Sequence, residues 1–466
     1  MNTVVKKNDV VVGKIVDITN EGFGVAKVEE FAIFVPFVCI GEVVEIKVLK
    51  VLPKYGFGKV MSIIEPSAQR IDPDCKVYDR CGGCSLRHMS YEEECRIKEN
   101  YVYDTLSRVG NLDLSDVEKR SIVPSDADYG YRNKAQYPIR KNENGKILIG
   151  FYAKRSHDVV DSSECRLQPA FFSDIVSITR SFLEEFDISI YNEETHKGLV
   201  RHLYVRHGEK TNQTMVCLVI NGKMLPEAEE YANRLQAGVP SLASVVLNIN
   251  KEKTNVILGN KCITVYGSDM IEDELCGLKF QLSPLSFYQV NRAGAEQLYG
   301  IAKEFAQLKK EDVLLDLYCG AGTIGLSMAN DVKELIGVEI IEDAVNNATE
   351  NAKRNHITNA QFICADASGA AQRFVQDGVQ PNVIVLDPPR KGLTEEVIQC
   401  VHDMNPERVV IVSCNVVTLA RDLKLFETLG YHLQKVQPMD MFPRTNHVET
   451  CVLLSHKNPQ TSPPSL

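Results

Sequence analysis

The chain has 466 residues, more than one hydrophobic core usually serves, so two or three domains are expected. Its 44% apolar and 24% charged residues fit a soluble protein; no apolar run approaches a membrane span and no signal-peptide core follows the N-terminus, which points to the cytoplasm. A net charge of -10 argues against indiscriminate nucleic-acid binding but permits a local basic surface, and 14 cysteines in such a chain point to metal or catalysis rather than disulfides.

Residues 1–65 alternate apolar and polar side chains between glycine-marked turns, in runs at Val10 to Ile18, Gly22 to Lys27, Ala32 to Val35, Glu42 to Leu52 and Phe57 to Ile64. Short strands at near-regular spacing predict a small closed β-barrel. Lys47, Lys50, Lys54 and Lys59 lie there with Tyr55 and Phe57 among them, a composition suited to an RNA platform as well as to a solvated, lysine-protected strand edge.

The barrel ends at Glu65-Pro66-Ser67, and the chain enters a cysteine-rich loop with Cys75, Cys81 and Cys84. Cys81 and Cys84, separated by two glycines that let the backbone wrap, can chelate one centre, and Cys75 offers a third thiolate. Cys165, in a polar turn after a strand-like segment, is the expected fourth ligand, in preference to Cys95 in a helical run. Spacing alone allows zinc or a [4Fe-4S] cluster.

Between Tyr129 and Arg166 basic residues outnumber acids, with Tyr131, Tyr137, Phe151 and Tyr152 among them, a mixture suited to phosphate contacts and base stacking. Strands follow at Arg201 to Arg206, Gln213 to Ile220, Ala243 to Asn250 and Thr254 to Leu258, with a helix at Pro226 to Ala237. Residues 66–290 therefore read as a central α+β domain with a basic face. Residues 291–457 alternate helix and strand as a doubly wound parallel sheet with strands at Val313 to Leu317, Glu334 to Glu339, Gln361 to Cys364, Val383 to Asp387 and Arg408 to Ser413. Tyr431 to Pro438 and His447 to Ser455 form an antiparallel edge pair, and residues 458–466 are a Pro/Ser-rich tail expected to be disordered.

Asp316 to Gly325 contains G-x-G-x-x-G after a strand and before a helix, with Glu339 placed for a ribose contact. A dinucleotide would fit that fragment. Asp316 before the turn, Asp366 placed to accept from an adenine amino group, and Asp387-Pro388-Pro389-Arg390 at the reactive end instead favour S-adenosylmethionine (SAM), a sulfonium without a pyrophosphate. The β-branched run Val409 to Val412 ends at Cys414, where a helical pattern begins. A thiol at a helix N-terminus is expected to have a lowered pKa and to serve as a nucleophile; an inert buried thiol is the other reading of that stretch.

Ser413-Cys414-Asn415, Asp387-Pro-Pro-Arg, Phe287-Tyr-Gln-Val-Asn291 and Phe442-Pro-Arg-Thr-Asn-His-Val-Glu449 together resemble the SAM-dependent RNA uracil-5-methyltransferases. The barrel looks like a TRAM domain, and the cysteine spacing resembles the [4Fe-4S] site of the ribosomal-RNA branch. The resemblance implies Cys414 as nucleophile and Glu449 as general base. Gln289, Tyr318, Thr323, Glu339, Asp366 and Asp387 would surround SAM or the transfer site, and Cys75, Cys81, Cys84 and Cys165 would hold the cluster. It implies a monomeric enzyme that acts on structured RNA, 23S ribosomal RNA in particular, with no DNA or membrane partner. Transfer RNA is the alternative substrate, although its family members commonly look shorter and lack the barrel and cluster cysteines. A non-catalytic RNA-binding or assembly protein is the alternative from another class.

Overall fold

The computed structural model describes residues 5–456, so the tail expected to be disordered lies outside the described residues. The first segment closes a five-stranded barrel in the order Val10–Ile18, Phe23–Val28, Phe31–Pro36, Tyr55–Glu65, Val43–Val51. Its inward residues, among them Ile15, Ile33, Val35, Val44 and Ile46, fill the barrel, and Leu86, Met89 and Ile97 extend this core onto the following segment. The alternation read from the sequence is the in-out pattern of these strands.

A seven-stranded sheet forms the middle of the molecule, ordered Lys261–Gly267, Leu242–Ile249, Gln213–Ile220, Val200–Gly208, Lys134–Lys141, Ile147–Tyr152, Val159–Asp161. Helices Phe172–Glu185 and Ala228–Gly238 pack on it through Phe172, Ile175, Phe182, Tyr231 and Leu235. The expected strand at Thr254 to Leu258 does not form, and the edge strand is Lys261–Gly267 instead. Polar groups hold that stretch as a loop. Asn250 Nδ2 donates to the carbonyls of Val256 and Ile257, and Arg201 donates to those of Asn250, Glu252 and Thr254, occupying the carbonyls a ladder would need.

An eight-stranded sheet completes the fold, ordered Ala360–Cys364, Glu334–Glu339, Val313–Leu317, Val383–Leu386, Arg408–Ser413, Glu449–Ser455, His432–Met439, Glu118–Lys119. The first five strands are parallel, and Glu449–Ser455 runs antiparallel to both its neighbours. The strand order reverses between Val313–Leu317 and Val383–Leu386, which opens a crevice at their carboxyl ends. Residues 91–119 also pack here. Helix Tyr91–Asp104 passes directly into a π-helical turn, Thr105–Val109, and Val102, Leu106, Leu112 and Leu114 join Leu419, Leu423 and Phe426 in one core.

Candidate active site

Cys414 follows the last residue of strand Arg408–Ser413, and Asn415 caps the next helix, Val416–Thr428, by accepting from the amide of Val417. The Asn415 amide group also donates to the carbonyl of Arg390 at 2.8 Å, tying the Asp387-Pro-Pro-Arg loop to the thiol. Ser413 pairs with Thr450 across the antiparallel ladder, so Glu449 comes opposite Cys414 on the adjacent strand. A cavity of about 180 Å³ is lined by Cys414, Arg390, Asn446, His447, Tyr101 and Asn20, among others.

The electrostatics of this corner differ from the expectation of a lowered thiol pKa. Burial raises the Cys414 pKa, the acidic neighbours Glu449 and Asp387 add to the rise, and only the Arg390 guanidinium opposes it. The dipole of a short helix terminus does not outweigh desolvation and two acids. Glu449 is 8% exposed, and burial pushes its carboxyl up to about 8, with Asp387 adding and Arg390 opposing. Burial also lifts Asp387 to about 7. Burial thus favours the protonated form of both Glu449 and Asp387 and brings each within reach of proton exchange near neutral pH.

The loop between the last two strands delivers Glu449 and is held from three sides. Lys98, in helix Tyr91–Asp104, donates to Glu94 and Asp440 at 2.7 Å each and to the carbonyl of Phe442 at 3.3 Å. Arg444 has a left-handed backbone at φ 68; its guanidinium pairs with Asp128 and reaches the Met89 carbonyl, and its amide donates to Glu94. The Arg444 carbonyl accepts from the amides of Ser85 and Leu86, immediately after Cys84. Asn446 Nδ2 donates to the Asn20 carbonyl in the first turn of the barrel.

In the crevice, Tyr318, Gly320 and Gly322 have φ values of 69, 55 and 79, a left-handed run that turns the chain from strand to helix. A Cβ on Gly320 would meet nothing within 4 Å, so the turn faces open space. Glu339 secures it by accepting from the amides of Gly320 and Ile341, at 3.1 and 3.0 Å. Asp316 Oδ2 accepts from Gly325, whereas Oδ1 is buried without a partner, and burial lifts this carboxyl to about 8. Thr323 shares a 3.0 Å hydrogen bond with Tyr299, a buried residue of helix Arg292–Ala306 whose hydroxyl Gln289 also faces. Asp366 caps helix Ala367–Gln376 through one oxygen, accepting from Ser368 and Gly369. Gln289, Thr323 and Asp387 thus surround Tyr299, Glu339 holds the turn that follows Tyr318, and Asp366 lies exposed near Tyr318. Carboxyl oxygens around the turn, among them the unpartnered Oδ1 of Asp316, are acceptors that suit a cationic sulfonium better than a pyrophosphate.

Cys75, Cys81, Cys84 and Cys165 all line one cavity of about 280 Å³, together with Arg87, Arg132 and Lys134. Among the described residues no group of three or more His, Cys, Asp or Glu side chains is set to hold a single metal ion, so the thiols ring a space rather than a point. Burial raises Cys81, lifts Cys84 to about 11 and lifts Cys165 to about 12. A Cβ on Gly82 would sit 3.0 Å from the Tyr152 carbonyl, a tight contact that glycine avoids. Arg87 pairs with Asp74 through Nη1 and turns the rest of its buried guanidinium toward the Cys84 thiol.

Sequence reasoning alone missed Tyr299, Lys98 and Arg444. Lys98 left a usable signal: Glu94 and Lys98 stand four apart on a helix face that also carries Ile97 and Val102 inward.

Residues 130–457 match the tRNA (Uracil-5-)-methyltransferase family, and residues 4–61 match the TRAM domain. The chain belongs to this family of SAM-dependent RNA methyltransferases. The methyltransferase is 42% identical over 452 residues to an uncharacterized RNA methyltransferase of Clostridium tetani, covering 97% of each chain. It is 41% identical over 454 residues to one of Halalkalibacterium halodurans, covering 97% of this chain and 98% of that one. Among solved structures it is similar to the Pyrococcus abyssi tRNA (uracil-54, C5)-methyltransferase in complex with S-adenosyl-L-homocysteine. That match has a TM-score of 0.76 and 26% identity and covers 95% of this chain and 100% of that one. Coverage this complete takes in the barrel, so possession of a barrel does not by itself separate ribosomal from transfer RNA enzymes. No helix among the described residues is long and apolar enough to cross a membrane.

Proposed function

We propose that this methyltransferase converts an unpaired uridine of a structured RNA to 5-methyluridine through a covalent Cys414 adduct, with 23S ribosomal RNA as the substrate. The observation that carries the reading is the closeness of Cys414, at a cavity that Arg390 also lines, to the Glu449 and Asp387 carboxyls, with Ser413 and Thr450 paired across the adjacent antiparallel strands.

Carbon 5 of uracil is a poor nucleophile. The Cys414 thiolate adds to carbon 6, and the electron pair of the ring double bond moves to carbon 5 as an enolate. Arg390 supplies the positive charge that offsets burial of the thiolate. SAM supplies the methyl group, which passes to carbon 5 as the bond to sulfur breaks. Glu449 then removes the proton from carbon 5, the double bond re-forms, and Cys414 leaves. A carboxyl poised at about 8 is matched to this proton removal near neutral pH. Asp316, Glu339 and the Gly320 turn would hold SAM, with Gln289, Tyr318, Thr323 and Asp366 around it and Asp387 at the reacting end. A uracil inside a duplex hides carbons 5 and 6, so the target must be single-stranded or flipped out.

Cys75, Cys81, Cys84 and Cys165 would hold a [4Fe-4S] cluster; the space they ring and the cationic Arg87, Arg132 and Lys134 suit a group with four thiolates. Bound there, it would cross-link the loop. The cysteine loop favours 23S ribosomal RNA, whereas the likeness to the Pyrococcus abyssi enzyme favours transfer RNA as a second reading. Methyl-labelled SAM incubated with unmodified 23S ribosomal RNA or unmodified tRNA decides between them. Label as 5-methyluridine in ribosomal RNA supports the first reading, and label in tRNA alone supports the second. Label in neither overturns both.

A further inference from the structure

The cavity that holds Cys414 is not closed on its outer side. It adjoins a second cavity, of about 320 Å³, between the first turn of the barrel and the end of helix Tyr91–Asp104. The two share Asn20 and Tyr101, and the second adds Thr19, Asn100, Asp104 and Arg108. We propose that this second cavity is a binding site for the base of a nucleotide next to the target uridine. The proposal rests on the reading of Cys414 as the nucleophile toward an RNA uracil.

The chemistry of the walls selects a base over a phosphate. Tyr101 offers an aromatic ring, and base-on-aromatic stacking tolerates any base. The side-chain amides of Asn20 and Asn100 have no hydrogen-bond partner among the described residues, and each has both donor and acceptor atoms for a base edge. Asp17 and Asp104 also line the cavity, and Arg108 is engaged with Asp104 at 3.4 Å, so little free positive charge is available to a phosphate. Consecutive bases of an unstacked strand are joined by one sugar-phosphate unit, so adjoining cavities can take adjoining bases.

The wall is also fixed in place. The Asn20 carbonyl accepts from Asn446, two residues after Arg444, and the Gly22 amide closes the turn onto the Thr19 carbonyl at 2.8 Å. Arg155 holds the neighbouring Glu21 at 2.9 Å. The barrel thereby becomes part of the target site.

The test uses the full-length enzyme and an RNA stem-loop that it methylates, made intact and with the nucleotide 5′ or 3′ of the target uridine abasic. We expect one abasic change to lower kcat/KM about 5- to 150-fold, since stacking one base contributes about 1–3 kcal/mol. Tyr101→Ala should lower kcat/KM on intact RNA by a similar factor and lose little more on that abasic RNA. Asn100→Ala, at an exposed position, repeats the comparison with little risk to packing. Losses that simply multiply in both variants, or no loss with either abasic RNA, would overturn the subsite while leaving the uridine reaction intact. Absence of 5-methyluridine from every RNA would overturn the function itself and the subsite with it.

Discussion

Three acids, Asp316, Asp387 and Glu449, are lifted to about 8, 7 and 8 by burial at the carboxyl edge of one sheet. Their folded pKa values exceed the ordinary 3.8 and 4.5, so the folded state binds more protons than the unfolded one between about pH 4 and 8. Their contribution to stability is full below the unfolded values and is lost as pH rises through 7 to 8. Asp387→Asn should therefore gain stability relative to the parent as pH rises from about 5 to 8, by at most about 1.4 kcal/mol per pH unit. Parallel stability curves for the two proteins would contradict this. In the proposed mechanism Cys414 and Glu449 both act deprotonated, so kcat/KM should climb with pH through neutrality. Glu449→Gln separates their roles. It should still form and methylate the Cys414 adduct but release it slowly, so that labelled RNA–protein complex accumulates on a denaturing gel while turnover falls about 10²–10⁴-fold. If no complex accumulates, Glu449 is not the base that acts after methyl transfer.

At the scale of elements, Glu449 is delivered by a loop whose anchors come from elsewhere in sequence. Lys98 is 3% exposed between Glu94 and Asp440, each 0% exposed. Lys98→Met removes the cation and leaves two buried carboxylates facing each other, a change that should cost roughly 3–5 kcal/mol and lower kcat together with the melting temperature. An unchanged melting temperature would show that the two acids are held neutral without Lys98. The strands of the parallel sheet and the barrel were legible in the sequence because burial on both faces, or on alternate faces, writes itself into the residue pattern. Thr254 to Leu258 was misread because its β-branched residues resemble a strand while the deciding groups, Asn250 and Arg201, lie outside it. Cys414 and Glu449 were legible as motif residues, but the raised thiol pKa was not, since it depends first on burial by the packed fold and then on acids from distant segments, Glu449 and Asp387.

For the molecule as a whole, the cysteine loop is distant from Cys414 in sequence yet adjoins the loop that carries Glu449. The amides of Ser85 and Leu86, directly after Cys84, both donate to the Arg444 carbonyl. If the proposed cluster is bound there, Cys81→Ser should reduce the iron content of purified protein, its melting temperature and its turnover together. Full iron and unaltered turnover would remove Cys81 from the site. The barrel is joined to the same loop through Asn20 and Asn446, two residues 426 positions apart. That separation has a consequence for synthesis. During translation the barrel and central sheet can fold as they emerge, but the wall around Cys414 cannot close until the last strands leave the ribosome. A chain released before Asn446 would therefore carry the barrel and the thiol and still lack both the Asn446 wall of the Cys414 cavity and the strand Glu449–Ser455 that pairs beside it.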